Sequence, residues 1–356
     1  MLLCFNAFMI FKQVSLLEQI IAVKHLLLII KAGLTLSAGF RILKEHANGY
    51  FKEVLSQAMA EMQEGQSLAK SLEKFPHVFS PLFLNLVNIG ESSGTLEKTL
   101  SYLAQYLEKT LALRKKILSA MLYPIFILVI AAGVGFSVAI FILPKLTRVF
   151  TSLDIALPMS TKILLALAKF MENYGLWAAV GALTLIGLVI FWARQKFAKP
   201  FLHRLVLKMP LVGQISRNHN LAIFTRTLGI LLKSGIPIKE SLRITSESTG
   251  NFVYQTCLGS LINQVAQGEP LSSGLKDRFL FPQIAVQIIE IGEKTGSLEE
   301  SLFYLAQFYE QEVSDATDNL STAIEPILLI LIGGAVAFLA LSIITPIYQI
   351  TAGMNI

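Results

Sequence analysis

A chain of 356 residues in which 54% are hydrophobic and only 15% charged is too apolar for an ordinary soluble protein. The length suits about two domains. The net charge of +6 is no nucleic-acid signal, because many of its cations flank long apolar stretches instead of forming a separate patch.

In chain order, residues 1–11 are apolar but lack a basic leader and a small-residue cleavage site, so a signal peptide is not expected. Cys4 and Cys257 form no ligand-spaced pair, and neither a disulfide nor a metal site is expected of them. Residues 16–31 are too short for a span and carry Glu18, Lys24 and Lys31, which predicts a core helix. Breaks at Gly33, Asn48-Gly49, Gly65 and Phe75-Pro76 divide the stretch from 32 to 95 into short helices. From Leu96 the spacing of Leu96, Leu100, Leu103, Leu107 and Leu111 predicts a long helix with one apolar stripe. No run alternates as a strand would.

Gly90-Glu91-Ser92-Ser93-Gly94-Thr95-Leu96-Glu97 recurs 202 residues later as Gly292-Glu293-Lys294-Thr295-Gly296-Ser297-Leu298-Glu299. Over 16 residues from each first glycine, 10 are identical, which predicts an internal duplication. The offset also pairs Lys31-Ala32-Gly33 with Lys233-Ser234-Gly235, Pro124 with Pro326, and Pro144 with Pro346. Two copies of one unit therefore cover roughly 14–150 and 216–352.

Residues 121–143, 174–193 and 326–348 contain no Asp, Glu, Lys, Arg or His. At 1.5 Å per residue each reaches about 30–35 Å, enough for the hydrocarbon core of a bilayer. Arg114, Lys115 and Lys116 precede the first; Arg194, Lys196, Lys199, Arg204 and Lys208 follow the second. This positive-inside pattern predicts that both copies face the cytoplasm. The middle span, outside the duplication, is then the return crossing a second copy needs. The expected class is an all-α membrane protein with two homologous cytoplasmic helical-bundle domains and three transmembrane helices. Its boundaries are 1–118 for the first domain, 119–143 for the first span, 144–173 for an extracytoplasmic loop and 174–193 for the second span. Residues 194–324 form the second domain, 325–348 the third span and 349–356 a short extracytoplasmic tail.

Gly90-Glu91-Ser92-Ser93-Gly94 fits a nucleophile elbow, but the second copy has Lys294 in place of Ser92 and no strand precedes either copy. No phosphate loop or His/Cys ligand spacing is present. No catalytic, cofactor or metal site is expected. The motif reads as a helix corner. Gly90 and Gly292 end one helix, Gly94 and Gly296 relieve the turn, and Thr95 or Ser297 caps the next helix before Leu96 or Leu298. Ser297 and Glu300 suit a capping box. Glu91 and Glu293 serve either this corner or a partner. Tyr123, Pro124, Glu325 and Pro326 read as membrane-helix entries, with the prolines in a first turn, and Pro144 and Pro346 as exits. Ala131, Gly135 and Ala139, and Gly333 and Ala337, would let helices approach closely within or between chains.

Taken together, the sequence resembles the inner-membrane platform proteins of type II secretion systems and type IV pili (the GspF/PilC family), including competence pseudopilus versions. The resemblance rests on the two motifs at 90–96 and 292–298, on Leu122-Tyr123-Pro124, on Leu157-Pro158 with Thr161, and on Pro210-Leu211-Val212-Gly213. Phe224-Thr225-Arg226-Thr227-Leu228 and Leu232-Lys233-Ser234-Gly235-Ile236-Pro237 complete it. It departs at the front, where family members often carry a longer leader. The resemblance implies a non-enzymatic, multi-pass protein of the bacterial inner membrane, N-terminus cytoplasmic and C-terminus outside. The partners it implies are a cytoplasmic hexameric assembly ATPase, pilins or pseudopilins, other inner-membrane machine subunits, membrane lipids and further copies of itself. The basic flanks and helical domains on the cytoplasmic side add the expectation that a soluble 194–324 fragment binds the cognate ATPase. A small oligomeric transporter or channel is the alternative; it predicts intramembrane charges and more spans than the sequence has.

Overall fold

The computed structural model describes residues 14–142, 159–193, 195, 197–210, 212–276 and 278–353. Their regular elements are all helical. They fall into two compact units, one drawn from Met1–Lys116 and His203–Asp315, the other from Ile117–Leu202 and Ala316–Ile356.

The first copy contributes α1 (Leu16–Lys31), α2 (Leu36–His46), α3 (Gly49–Gln63), α4 (Leu68–Glu73), α5 (Pro81–Ser92) and α6, which runs Leu96–Ser137. One π-helical turn follows over Val138–Ile142. Then come α7 (Met159–Ala193) and α8 (Ala198–Lys208). The second copy repeats the order as α9 (Val212–Lys233), α10 (Ile238–Ser248), α11 (Phe252–Ala266), α12 (Leu271–Leu275), α13 (Gln283–Thr295) and α14 (Leu298–Gly353).

The helices start where local chemistry satisfies their orphan N–H groups. Ser15 and Glu18 close a capping box on α1, and the hydroxyls of Thr35, Ser67 and Ser80 cap α2, α4 and α5. In the second copy the matching positions are Pro237, Pro270 and Pro282, none with a side-chain cap. Stiff proline starts replace hydroxyl caps, a trade of lost hydrogen bonds against reduced unfolded-state freedom.

The leucine stripes are core. Leu100, Leu103 and Leu107, and Leu302, Leu305 and Val313, are buried. The first unit has a core that both copies share. Ile230, Leu231, Ile236 and Ile244 of the second copy are buried in the same cluster as Phe40, Val54, Leu86 and Tyr106 of the first. An isolated 194–324 fragment would expose those four isoleucine and leucine side chains to water.

Helices α6, and α14 over Leu298–Thr345, are long and apolar enough to cross a membrane. In the second unit α7 packs on α14. Leu164 lies against Leu339 and Ile343, and the buried Thr161 hydroxyl donates to the Ser342 carbonyl at 2.9 Å.

Several boundaries differ from the sequence reading. The loop expected over 144–173 is helical from Met159, because the polar residues there (Thr161, Lys162, Lys169, Glu172) lie inside one continuous α7. Helix α14 continues to Gly353, through the expected start of the tail at 349. Pro124, Pro326 and Pro346 lie inside long helices, not in first turns or at an exit, because those helices begin at the motif corners and not at a membrane edge. Pro124 and Pro326 then leave the Ala120 and Thr322 carbonyls without their usual helical donors.

Candidate functional site: the repeated helix corners

Each corner joins α5 to α6, or α13 to α14. Gly90 and Gly292 do not end their helices. Both are interior and buried. A Cβ on Gly90 would stand 2.1 Å from Thr99 Oγ1 and 2.8 Å from Leu96 Cα; on Gly292 it would stand 2.5 Å from Ser301 Oγ and 3.0 Å from Leu298 Cα. Glycine is therefore demanded by the approach of the next helix, and Leu96 and Leu298 supply the backbone that approaches. Gly94 and Gly296 do make the turn, at φ 69° and 71°, a region costly for other residues.

The two glutamates act within the fold. The Leu68 and Ala69 N–H groups donate to the Glu91 carboxylate at 2.8 and 3.2 Å. Leu271 and Ser272 do the same for Glu293 at 2.5 and 3.0 Å. Each motif glutamate thus caps the first turn of a short helix more than 20 residues upstream, where an anion also meets the positive end of the helix dipole. The copies are one device used twice.

The remaining corner hydroxyls stay local. Ser92 Oγ donates to the Ile89 carbonyl at 3.2 Å, which places it on a helix end and not on a nucleophile elbow. Ser93 and Thr95 hydroxyls meet at 2.7 Å, and those of Thr295 and Ser297 at 2.6 Å. Ser297 is thereby engaged with Thr295 in place of the capping box expected with Glu300. Among the described residues, no group of three His, Cys, Asp or Glu side chains is disposed to hold a metal ion.

The seam between the copies contains residues that motif reading did not single out as a site. The Arg226 guanidinium donates to Glu310 through Nε at 2.9 Å and Nη2 at 2.6 Å, and both side chains are largely buried. Lys109 of the first copy reaches the same carboxylate at 3.4 Å. Lys233 Nζ lies 5.7 Å from the Tyr102 ring centroid and 5.1 Å from that of Phe303, in range for cation–π attraction. Arg226, Lys109, Lys233, Tyr102 and Phe303 line a cleft of about 440 Å³ with Gln105 and Gln307. The available signal was the 202-residue offset, which pairs Lys24 and Glu108, themselves an ion pair, with Arg226 and Glu310.

Two buried titratable groups of the second copy are perturbed by desolvation. Burial pushes the Tyr309 hydroxyl up to about 12, with Glu312 adding to the effect. Burial lowers His219 below the usual imidazole range, and its Nδ1 has no hydrogen-bond partner among the described residues.

Tyr123, Pro124 and Glu325 belong to the second unit and the corners to the first. Tyr123 and Glu325 are exposed and Pro124 is buried. Pro144, Leu157, Pro158 and Leu211 lie outside the described residues. Among the described residues, nothing outside the helix's own backbone comes within 4 Å of a Cβ built on Gly135 or Gly333, so the close approach expected of those glycines is not made there.

The family described as type II secretion system (T2SS), protein F, matches residues 22–144 and again 224–346. The second match begins and ends at the same 202-residue offset as the motif. A type IV pilus assembly protein PilC of Thermus thermophilus is 35% identical over 340 residues, covering 94% of this chain and 82% of the relative. A type II secretion system protein F of Aeromonas hydrophila is 32% identical over 355 residues, covering 99% and 91%. A PilC of Pseudomonas aeruginosa is 33% identical over 345 residues, covering 95% and 91%.

Proposed function

The chain belongs to the type II secretion system protein F family, and from this premise we propose that it is the non-enzymatic inner-membrane platform of a type IV pilus, type II secretion or competence pseudopilus machine. The observation that carries the reading is the duplication: each family match ends in a helix long and apolar enough to cross a membrane. In this reading the crossings lie at 119–143, 174–193 and 325–348. Both copies and the N-terminus are cytoplasmic and the C-terminus is outside.

A platform without its own nucleotide site takes its work from a partner. The partners are a cytoplasmic hexameric assembly ATPase on the helical unit and pilins or pseudopilins beside the membrane helices. Other machine subunits and further copies of the chain complete the assembly, and Lys199, Arg204 and Lys208 face lipid headgroups. Each such cation adds about 1 kcal/mol near an anionic leaflet. Because Glu91 and Glu293 are occupied within the fold, the ATPase contact belongs on exposed faces of the same unit.

The test uses the full chain in nanodiscs, since the copies share a core. The purified cognate ATPase should co-purify with it. No association with a folded, membrane-inserted chain overturns the coupling role.

A further inference from the structure

The two copies do not meet through equivalent surfaces. The second copy uses Ile230, Ile236 and Ile244, which are 2%, 6% and 0% exposed and lie in the core of the first. Their equivalents in the first copy, by the 202-residue offset, are Leu28, Leu34 and Ile42, which are 63%, 51% and 38% exposed. The converse holds on the other side. In the first copy Ile89, Tyr102 and Tyr106 belong to or pack against the shared core. Their equivalents Ile291, Tyr304 and Phe308 are all exposed. The contact is therefore head-to-tail: face two of the first copy receives face one of the second. Face one of the first copy and face two of the second are left open, both still apolar.

A heterologous contact between homologous units leaves unsatisfied ends that fit each other. The polar residues agree. In the internal contact Lys233 lies over the Tyr102 ring; the open faces carry their equivalents Lys31 and Tyr304. Arg243 lines a cleft with Asn88; the equivalents are Arg41 and Glu290, of opposite charge. Two glutamates, Glu240 and Glu247, hold Arg243 at home; by the offset the first becomes Ala38 and the second Glu45, and Arg41 has no ion pair among the described residues, while Glu290 pairs with Lys294 on its own helix.

We propose that a second copy of this chain docks by the same contact that joins the two repeats. Leu28, Leu34 and Ile42 of one copy seat on Ile291, Tyr304 and Phe308 of the next, with Lys31 over Tyr304 and Arg41 facing Glu290. This gives the self-association proposed above a defined surface. Its geometry rests on the duplication alone.

The test is disulfide trapping of the full chain in membranes, with Cys4 and Cys257 replaced by alanine. Two differently tagged chains, one Lys31→Cys and one Tyr304→Cys, are co-expressed and oxidised. A single chain carrying Tyr102→Cys and Lys233→Cys is the positive control for the internal contact. The mixed pair should yield a cross-linked dimer severalfold above either same-position pair, and Ile42→Glu or Ile291→Glu, both at exposed positions, should abolish it. Closure of the control without a mixed dimer overturns the proposal. So does equal trapping in the same-position pairs, which marks a two-fold contact, or trapping of a different protein at these cysteines. ATPase binding is not part of this readout, so failure of the platform reading leaves the result interpretable.

Discussion

Replacing Glu293 with alanine removes both acceptors from the first turn of α12. Its two bonds, at 2.5 and 3.0 Å, are charge-assisted, worth about 1.5–3 kcal/mol each when well formed. The carboxylate is only half-buried, so water replaces part of the loss, and a net cost of about 2–3 kcal/mol is reasonable. The first copy supplies a built-in comparison. Ser67 caps α4 through Lys70 N–H, whereas Pro270 gives α12 no side-chain cap. Glu91→Ala should therefore cost less, about 1–2 kcal/mol. Hydrogen exchange by mass spectrometry on the full chain in detergent reads the effect locally. A 2 kcal/mol loss speeds exchange of the Leu271 and Ser272 amides about 30-fold. Glu293→Gln, which keeps acceptor oxygen but loses charge, should fall between. Unchanged exchange in α12 together with lost filament assembly would refute the reasoning and return Glu293 to the role of a partner contact.

Gly90→Ala should destabilise the first unit by about 1–3 kcal/mol in thermal unfolding, and Gly292→Ala by less, because the contacts Gly90 would make are closer. Thr99→Ala should rescue Gly90→Ala only in part, since Leu96 Cα at 2.8 Å is backbone and cannot turn away. Arg226→Ala leaves the buried Glu310 carboxylate with Lys109 alone, at 3.4 Å, and should cost about 2–3 kcal/mol, while Lys24→Ala at the exposed equivalent pair should cost at most about 1 kcal/mol; denaturant midpoints compare them. His219 binds its proton less readily folded than unfolded. Its contribution is present above an unfolded value near 6.5 and is lost as pH falls, so the melting temperature should drop on acidification and His219→Phe should flatten that slope.

Features encoded by neighbours in sequence were legible. The turn glycines Gly94 and Gly296 and the long helix from Leu96 depend on contacts within a few residues, and the structure has both. The duplication was legible because identity at a fixed spacing needs no structure. The glutamates were not, because their donors lie 21 to 23 residues upstream and nothing in the local pattern marks a carboxylate as the cap of a distant helix. Gly90 was misplaced for a related reason. A glycine near a helix end looks like a terminator, and only the position of Leu96 and Thr99 shows that it is a contact point. The start of α7 at Met159 was missed because scattered polar residues argue against a span without arguing against a helix.

The divergence of the copies follows where each is covered. Lys24–Glu108 and Arg226–Glu310 occupy equivalent positions, yet the first pair is about half exposed and the second about one-tenth exposed. Lysine suits the wet site because its ammonium stays hydrated. Arginine suits the covered one because its fork makes two bonds to one carboxylate and loses less hydration. Lys109 then crosses the seam to the same carboxylate, giving Glu310 a cation from each copy. A lone carboxylate at a seam would be costly to bury. Shared between two cations, it fixes which faces of the copies meet. The apolar residues supply the area of this contact and the ion pair its register, which is why one duplicated sequence yields an ordered, head-to-tail unit and not two interchangeable domains.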